Sequence, residues 1–271
     1  MIVLRSAAFN IFFFGGTFVM SAAASVVRMV HPPGVLGAAQ AWARLIIWGL
    51  RTIGGIRVEV IGAENLPTGA ALIASAHQSA FDTVVWLTLV PRCCYVFKHE
   101  LTRIPLFGHL VAAAGMIPID RSSGSAAIRT LLRGGDRAKR EGRQIVIFPE
   151  GTRAPLDGAL PLQPGVAALA GRTGLPVIPV ATDSGRYWGR RAFHKRPGTI
   201  RIVVRPPLPV GLSRAELMRR LEQAMRMDAP SGANPGSASP GEANPGSASP
   251  DGAYNVDKSV GSVEIAANGA P

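Results

Sequence analysis

Residues 6–27 carry no charged side chain. At 1.5 Å per residue, a helix of that length covers a bilayer core of about 30 Å. Three readings fit the run: a transmembrane helix, a re-entrant or interfacial helix, and a secretory signal. Ser21-Ala22-Ala23-Ala24 would give the last of these its small-residue cleavage site. The basic flank a signal needs is thin, since Arg5 stands alone, and this favours a retained membrane element. His31-Pro32-Pro33-Gly34 then breaks the helix. Over 35–53, Trp42, Leu45, Ile46 and Leu50 fall on one helical stripe, with Arg44 and Arg51 off it. The two apolar helices read as a membrane-docking hairpin, or else as an ordinary helical hairpin packed on the main domain.

From Ile56 the period changes. Short apolar runs at Ile56–Ile61, Ala70–Ala76, Cys93–Phe97, Met116–Ile119, Gln144–Phe148, Pro176–Ala181 and Thr199–Arg205 predict strands. Between them 82–90, 105–114, 124–141, 164–173 and 213–227 read as helices. This alternation predicts an α/β fold with a largely parallel central sheet covered by helices. In such sheets ligands sit beyond the carboxyl ends of strands, which directs attention to His77 and to Pro149–Arg153. After Met227 the pattern stops. Residues 233–240 read Ala-Asn-Pro-Gly-Ser-Ala-Ser-Pro, and 243–250 repeat them unchanged. Such a tract has little to bury and predicts a disordered tail. Three units follow: 1–55 as membrane-associated helices, 56–227 as the α/β domain and 228–271 as the tail.

Charge is unevenly placed. Residues 1–227 hold 28 Lys/Arg against 12 Asp/Glu, a net +16, while 228–271 hold one Lys against five acids, a net −4. A body this basic suggests a polyanionic partner: nucleic acid, anionic headgroups or a phosphorylated substrate. Arg supplies 25 of the 29 cations; a compositional bias explains that preference but not the excess over acids. The stretch 184–215 has no acid and contains Arg186, Arg190, Arg191, Lys195, Arg196, Arg201, Arg205 and Arg214. Tyr187, Trp188 and Phe193 interleave with its first half. Aromatics among cations suit a headgroup region, and equally a nucleic-acid patch or a solvated loop. Cys93 and Cys94 are adjacent, in an apolar strand, with no other cysteine to pair with and no metal-ligand spacing.

The candidate chemistry lies in two short stretches. In His77-Gln78-Ser79-Ala80-Phe81-Asp82, an imidazole can take a proton from a hydroxyl if a carboxylate holds its other nitrogen. Five residues apart on one helix, the two would point about 140° away from each other. They meet only if His77 is in the loop after a strand and Asp82 in the first helical turn. In Phe148-Pro149-Glu150-Gly151-Thr152-Arg153, Gly151 frees the backbone for close approach, and Arg153 offers a planar fork suited to phosphate. Glu150 would fix that Arg or accept a substrate hydroxyl. Taken singly, the first stretch is as readily a helix cap and the second a turn with a surface Arg. No Gly-x-Ser-x-Gly elbow, P-loop or His-Glu-x-x-His is present, and His31, His109 and His194 lack metal spacing. No metal and no cofactor are expected.

Together these stretches resemble the glycerolipid acyltransferase family, in particular bacterial 1-acyl-sn-glycerol-3-phosphate acyltransferases. The His-x-x-x-x-Asp box matches at His77 and Asp82, and the Phe-Pro-Glu-Gly-Thr-Arg box matches at 148–153 without substitution. Between them, Lys98-His99-Glu100-Leu101, Ile104-Pro105-Leu106-Phe107-Gly108 and Gly115-Met116-Ile117-Pro118-Ile119-Asp120-Arg121 resemble the family's intervening block. Leu175-Pro176-Val177-Ile178-Pro179-Val180 resembles its last one. The likeness spans about 56–210 in the family's order. Ala76 departs from it, since many members carry a polar residue there.

The resemblance implies His77 as general base and Asp82 as its orienting partner. It implies Lys98, Arg121 and Arg153 at the acceptor's phosphate, and Glu150, Gly151 and Thr152 shaping the acceptor site. It also implies transfer of a fatty acyl group from acyl-CoA or acyl carrier protein to lysophosphatidic acid. The setting would be the inner, cytoplasmic membrane, with the catalytic domain on the cytoplasmic face, among membrane lipids and without nucleic acid. Amides after Pro176 or near Gly151 are the candidate oxyanion donors, and a Cys93 or Cys94 nucleophile is the alternative chemistry. Two other functions compete: acylation of a different lyso-lipid, such as a lyso-ornithine lipid or a lysophospholipid, and non-catalytic binding of anionic lipid or nucleic acid.

Overall fold

The computed structural model describes residues 1–105, 107–155, 161–190, 192–227 and 262–264. In chain order the elements are α1 (Ile2–Val30), α2 (Val35–Thr52), β1 (Ile56–Ile61), β2 (Ala71–Ser75), α3 (Asp82–Leu89), β3 (Cys93–Lys98), α4 (Gly108–Ala113) and β4 (Ile117–Ile119). They continue with α5 (Ser125–Arg140), β5 (Gln144–Ile147), α6 (Gly165–Thr173), β6 (Val177–Thr182), α7 (Ser184–Tyr187), β7 (Gly198–Val204), α8 (Arg214–Ala224) and β8 (Ser262–Glu264).

The strands form one mixed sheet in the order β4-β3-β5-β2-β6-β7-β1-β8. β4, β3, β5, β2 and β6 are mutually parallel, β7 pairs antiparallel with β6, and β1 runs parallel to β7. The expected largely parallel sheet is therefore present. β2, β5 and β6 are buried at every position because helices cover both faces, which is why they read as unbroken apolar runs. β1 alternates instead, with Ile56, Val58 and Val60 inward and Arg57 exposed.

Two apolar layers flank the sheet. One holds Ile73, Val146, Cys93, α3 and α4, with α1 and α2 beyond them. The other holds Leu72, Cys94, Ile145, α5, α6 and α8. Two glycines let α5 lie close: a Cβ on Gly134 would come within 2.7 Å of Ile117, and one on Gly135 within 2.2 Å of Leu169.

The helical hairpin is present, and its first helix is longer than the uncharged run alone suggests. α1 is one helix of 29 residues, long and apolar enough to cross a membrane. Phe9 and Ala24 are buried, while Ile11, Phe14, Phe18, Val19, Val26, Met29 and Val30 are exposed. The first turns of α1 are locked to the sheet domain. Trp188 meets Phe9 and Phe13 edge-on, each at 5.3 Å. Lys195 is 2% exposed; its backbone N–H donates to Ser6 Oγ at 2.9 Å and its ammonium to Asn10 Oδ1 at 2.9 Å.

That packing corrects the expected cationic patch. Lys195 and Trp188 belong to the interior, Arg191 lies outside the described residues, and Arg190, Arg196 and Phe193 are exposed. Burial lowers the pKa of the Lys195 ammonium from its ordinary value. The tail expectation is corrected at three residues: Ser262–Glu264 pair antiparallel with Glu59–Ile61 and form the sheet's last strand. The rest of 228–271 lies outside the described residues.

Candidate active site

β2, β3, β4 and β5 run parallel and lie side by side, so the residues just past their carboxyl ends share one edge. His77 follows β2, Lys98 ends β3, Arg121 follows β4, and Glu150–Arg153 follow β5. Chain segments up to about 75 residues apart converge there because of strand order alone.

The β2 loop turns into α3 at Asp82. Asp82 Oδ2 accepts the backbone N–H groups of Gln78 at 2.7 Å and Ser79 at 2.8 Å. These amides precede the helix and have no intrahelical acceptor, so a carboxylate in the first turn satisfies them and suits the helix dipole. The same oxygen lies 3.3 Å from His77 Nδ1. The sequence condition, His in the loop and Asp in the first turn, is met. Asp82 is 2% exposed and the His77 side chain 13%. With Nδ1–H donating to Asp82, Nε2 is left as the acceptor nitrogen.

The β5 loop closes over this pair. Phe148 stacks on the imidazole, with centroids 4.2 Å apart and planes 22° off parallel, and Tyr95 of β3 stands behind it at 6.1 Å. Glu150 Oε1 accepts the His77 backbone N–H at 3.0 Å, and the Ala154 N–H donates to His77 O at 2.6 Å. His77 is thus held at its ring, its N–H and its carbonyl. Glu150 bonds neither to Arg153 nor to a hydroxyl among the described residues. It is 8% exposed, its Oε2 is buried with no partner among those residues, and burial raises its pKa from 4.5 to about 7.

Gly151 turns the loop at φ +72°, a conformation that suits glycine. A Cβ there would lie 2.9 Å from Arg121 Nη1, which donates to Gly151 O. The Asp120 carboxylate accepts from the Ser122 N–H at 2.9 Å and both serine hydroxyls, forming the turn that carries Arg121. Arg153 is half-buried and Thr152 exposed. Lys98 is brought to the same edge but points outward: it is 59% exposed and pairs with Glu100 at 2.8 Å.

Several expectations change here. Both cysteines start β3, at the opposite end of the sheet from His77, and both are fully buried. Burial pushes the Cys94 thiol up to about 11 and the Cys93 thiol higher still, so neither is a nucleophile. Pro176 also sits at that far end, beside Leu72, which removes its neighbouring amides as oxyanion donors. The Gly151 N–H is spent on Phe148 O at 3.0 Å; the amides of Thr152 and Arg153 have no backbone acceptor among the described residues. Two contacts were not foreseen. Phe148 lies inside the quoted box, but nothing in the sequence says its ring meets the imidazole. Gln78 Oε1 accepts the Gly185 N–H at 3.1 Å, linking the His77 loop to α7. No group of three or more potential metal-ligand side chains occurs among the described residues.

Residues 57–183 match the family model described as Acyltransferase. A Pseudomonas aeruginosa protein named 1-acyl-sn-glycerol-3-phosphate acyltransferase is 40% identical over 169 residues, 62% of this chain and 66% of that protein. A Cocos nucifera protein of the same name is 31% identical over 167 residues, 61% of this chain and 53% of its own length. The chain thus spans between about half and two thirds of these curated relatives. The crystal structure of the 1-acyl-sn-glycerophosphate acyltransferase PlsC from Thermotoga maritima superposes with a TM-score of 0.64. It is 23% identical, and the match covers 83% of this chain and 92% of that one, a likeness of fold. Residues 57–183 of this chain, which contain the boxes at 77–82 and 148–153, belong to the acyltransferase family.

Proposed function

We propose that the chain moves a fatty acyl group from a thioester, acyl-CoA or acyl carrier protein, to the free sn-2 hydroxyl of 1-acyl-sn-glycerol-3-phosphate, giving phosphatidic acid. The observation that carries this reading is the His77–Asp82 pair, held at three points and roofed by the Phe148–Arg153 turn. A glycerol hydroxyl is a poor nucleophile until its proton leaves. His77 Nε2 takes that proton as the oxygen attacks the thioester carbonyl, and Asp82 offsets the imidazolium charge. The tetrahedral oxyanion is met by backbone donors, for which the Thr152 and Arg153 amides are placed on the same turn. The C–S bond then breaks and the imidazolium returns its proton to the departing thiolate. No acyl-enzyme is needed.

Arg153, half-buried beside the His77 loop, is assigned to the acceptor phosphate, with Arg121 and Lys98 at the rim. Glu150, Gly151 and Thr152 give the acceptor site its floor. Residues 1–55 are assigned to membrane docking on the cytoplasmic face of the inner membrane, 56–227 to catalysis and 228–271 to a tail. Two observations support retention of α1: Phe9 is a core side chain, and Ser6 and Asn10 partner a buried Lys195. Lys195 and Pro197 lead into β7, which runs antiparallel to β6, so the first turns of α1 dock at the same end of the sheet as His77.

A panel of lyso-lipids offered to the purified chain with acyl-CoA tests the reading. Turnover should be highest with the phosphate monoester. Preference for a lyso-ornithine lipid or a headgroup-bearing lysophospholipid would reassign the acceptor. Retained liposome binding without turnover on any of them would leave a lipid binder instead.

A further inference from the structure

α5 carries Arg129, Arg133, Arg137 and Arg140, all exposed. At about 100° per residue they fall within an arc of about 80°, over about 16 Å of helix. Ala127, Leu131, Gly135 and Ala138 face the core on the opposite side. Arg133, Arg137 and Arg140 line a groove of about 380 Å³ against the edge strand β4, closed by Ile117, Pro118 and Thr130. No residue of the His77 site lines this groove.

The stripe is poorly neutralised. Asp136, on its margin, is engaged by Arg172 of α6 at 3.0 Å. Glu141 lies 3.9 Å from Arg137 and 3.6 Å from Arg143. Arg129 bonds to the Ser125 hydroxyl. Arg133 and Arg140 have no carboxylate partner among the described residues. Arg137 has a structural task, donating to Gly115 O at 3.0 Å.

Placement separates this surface from the membrane element. α1 and α2 cover the α3–α4 face, while α5 packs with α6 on the other. The exposed apolar side chains of α1 therefore face away from the stripe. α5 nevertheless starts four residues after Arg121, so its first turn stands at the rim of the His77 site and its arginines lead away from it. We propose that the arginine face of α5 is the docking surface for a water-soluble, carboxylate-rich carrier protein that delivers the acyl thioester. Charge complementarity identifies the partner: a row of exposed guanidinium groups on the aqueous side matches an acidic protein surface, and the acyl arm would reach over the start of α5. The inference rests on the acyl-transfer reading and names its donor.

The test is steady-state kinetics on the full chain, with one acyl group supplied either on acyl carrier protein or on CoA. The variant is Arg129→Ser/Arg133→Ser/Arg140→Ser, with Arg137 kept because it ties α5 to Gly115. KM for the carrier thioester should rise about tenfold or more, as expected for three lost charge contacts at a protein interface. Its kcat and the KM for acyl-CoA should stay within about twofold. Added salt should weaken carrier use by the wild type more than by the variant. Equal losses on both donors, no loss on either, or a wild type unable to use the carrier thioester would each overturn the docking surface. So would an unchanged carrier KM with lost binding to anionic vesicles, which would make the stripe a lipid contact. A wild type inactive on both donors would instead overturn the acyl-transfer reading itself.

Discussion

The β2 and β5 loops each bury one carboxylate in the same site, and they hold it differently. Asp82 collects three donors on a single oxygen, two of them backbone amides of the loop that precedes α3. Glu150 receives one donor, the His77 N–H, and its second oxygen meets none among the described residues. Moving Asp82 would leave the Gln78 and Ser79 amides of the loop without their acceptor, so it is a fixed acceptor for the imidazole. Glu150 has one tie and little solvent, and burial, with the nearby Asp82 charge adding to it, raises its pKa to about 7. Two acids at similar depth thus differ by donor count: one is an anchor and the other exchanges a proton near neutrality.

The largest effect should come from breaking the anchored pair. His77→Ala removes the proposed base and is expected to cost about 10²–10⁴-fold in kcat. Asp82→Asn can keep an oxygen where Oδ2 accepts the Gln78 and Ser79 amides, so the loop should survive while the charge facing the imidazole is lost. Its rate should fall on the order of 10²-fold with circular dichroism unchanged. A His77→Ala protein retaining more than about a tenth of the wild-type rate is incompatible with general-base catalysis.

Next comes the titrating partner. Glu150 goes from 4.5 to about 7 on folding. Between those values the folded chain holds a proton that the unfolded chain has released. The stabilisation is complete below about pH 4.5, is lost as pH rises and is gone above about pH 7. The difference amounts to about 3 kcal/mol at 1.36 kcal/mol per unit. Glu150→Gln keeps an acceptor for the His77 N–H and cannot titrate. Its melting temperature should match the wild type near pH 4 and exceed it at pH 8. Parallel melting curves for the two proteins across that window would show that Glu150 does not titrate there.

Arg153 occupies the same β5 loop and sharpens the contrast from the ligand's side. Arg153→Lys keeps the charge and loses the two-pronged fork. Transfer to a phosphate-monoester acceptor should fall about 10- to 100-fold, with a smaller loss on an acceptor lacking the phosphate. Equal losses on both would make Arg153 a support of the loop and not a phosphate ligand.

Much of this was legible in the chain. β1 was delimited to the residue, because its in–out alternation is unambiguous between Gly55 and Gly62. β2, β5 and β6 were visible as apolar runs because helices cover them on both sides. Asp82 at the start of α3 was readable because a strand, a loop and a helix followed in order. Sequence distance hides what strand order creates: Phe148 meets His77 only because β5 lies beside β2, and Glu150 reaches the His77 amide for the same reason. The Pro176 amides were misplaced although Pro176 precedes β6: in a strand parallel to β2, the residues before it lie at the end away from His77. Spacing also misread Lys195 and Trp188, because a row of cations and aromatics looks alike whether it faces a headgroup or folds under a helix. α7, four residues long, has no period to detect.

Lys195 offers the smallest and most direct test of the donor-count argument. It is buried like Glu150 but supplied like Asp82: its ammonium donates to Asn10 Oδ1 at 2.9 Å and to the carbonyls of Ala192 and Phe193 at 3.0 Å each, and lies 5.2 Å from the Trp188 ring centroid. Three acceptors offset much of its burial, so it should act as a fixed tie between α1 and the loop after β6. Lys195→Met keeps much of the length and apolar stem but leaves Asn10 Oδ1 without its donor. The expected cost is about 1 kcal/mol, a few degrees in melting temperature for a domain of this size. Neutralising the exposed Arg190 and Arg196 with Ser should leave the melting temperature alone, since surface charges contribute little to stability. That pair should instead weaken binding to anionic vesicles, by about 1 kcal/mol per cation that lies near the leaflet, and high salt should erase the difference. If Lys195→Met weakened vesicle binding as the arginine changes do, without lowering the melting temperature, Lys195 would be a surface cation and the tie between α1 and the sheet domain would rest on the Phe9, Phe13 and Trp188 rings and on the bonds of Ser6 and Asn10 to the loop backbone.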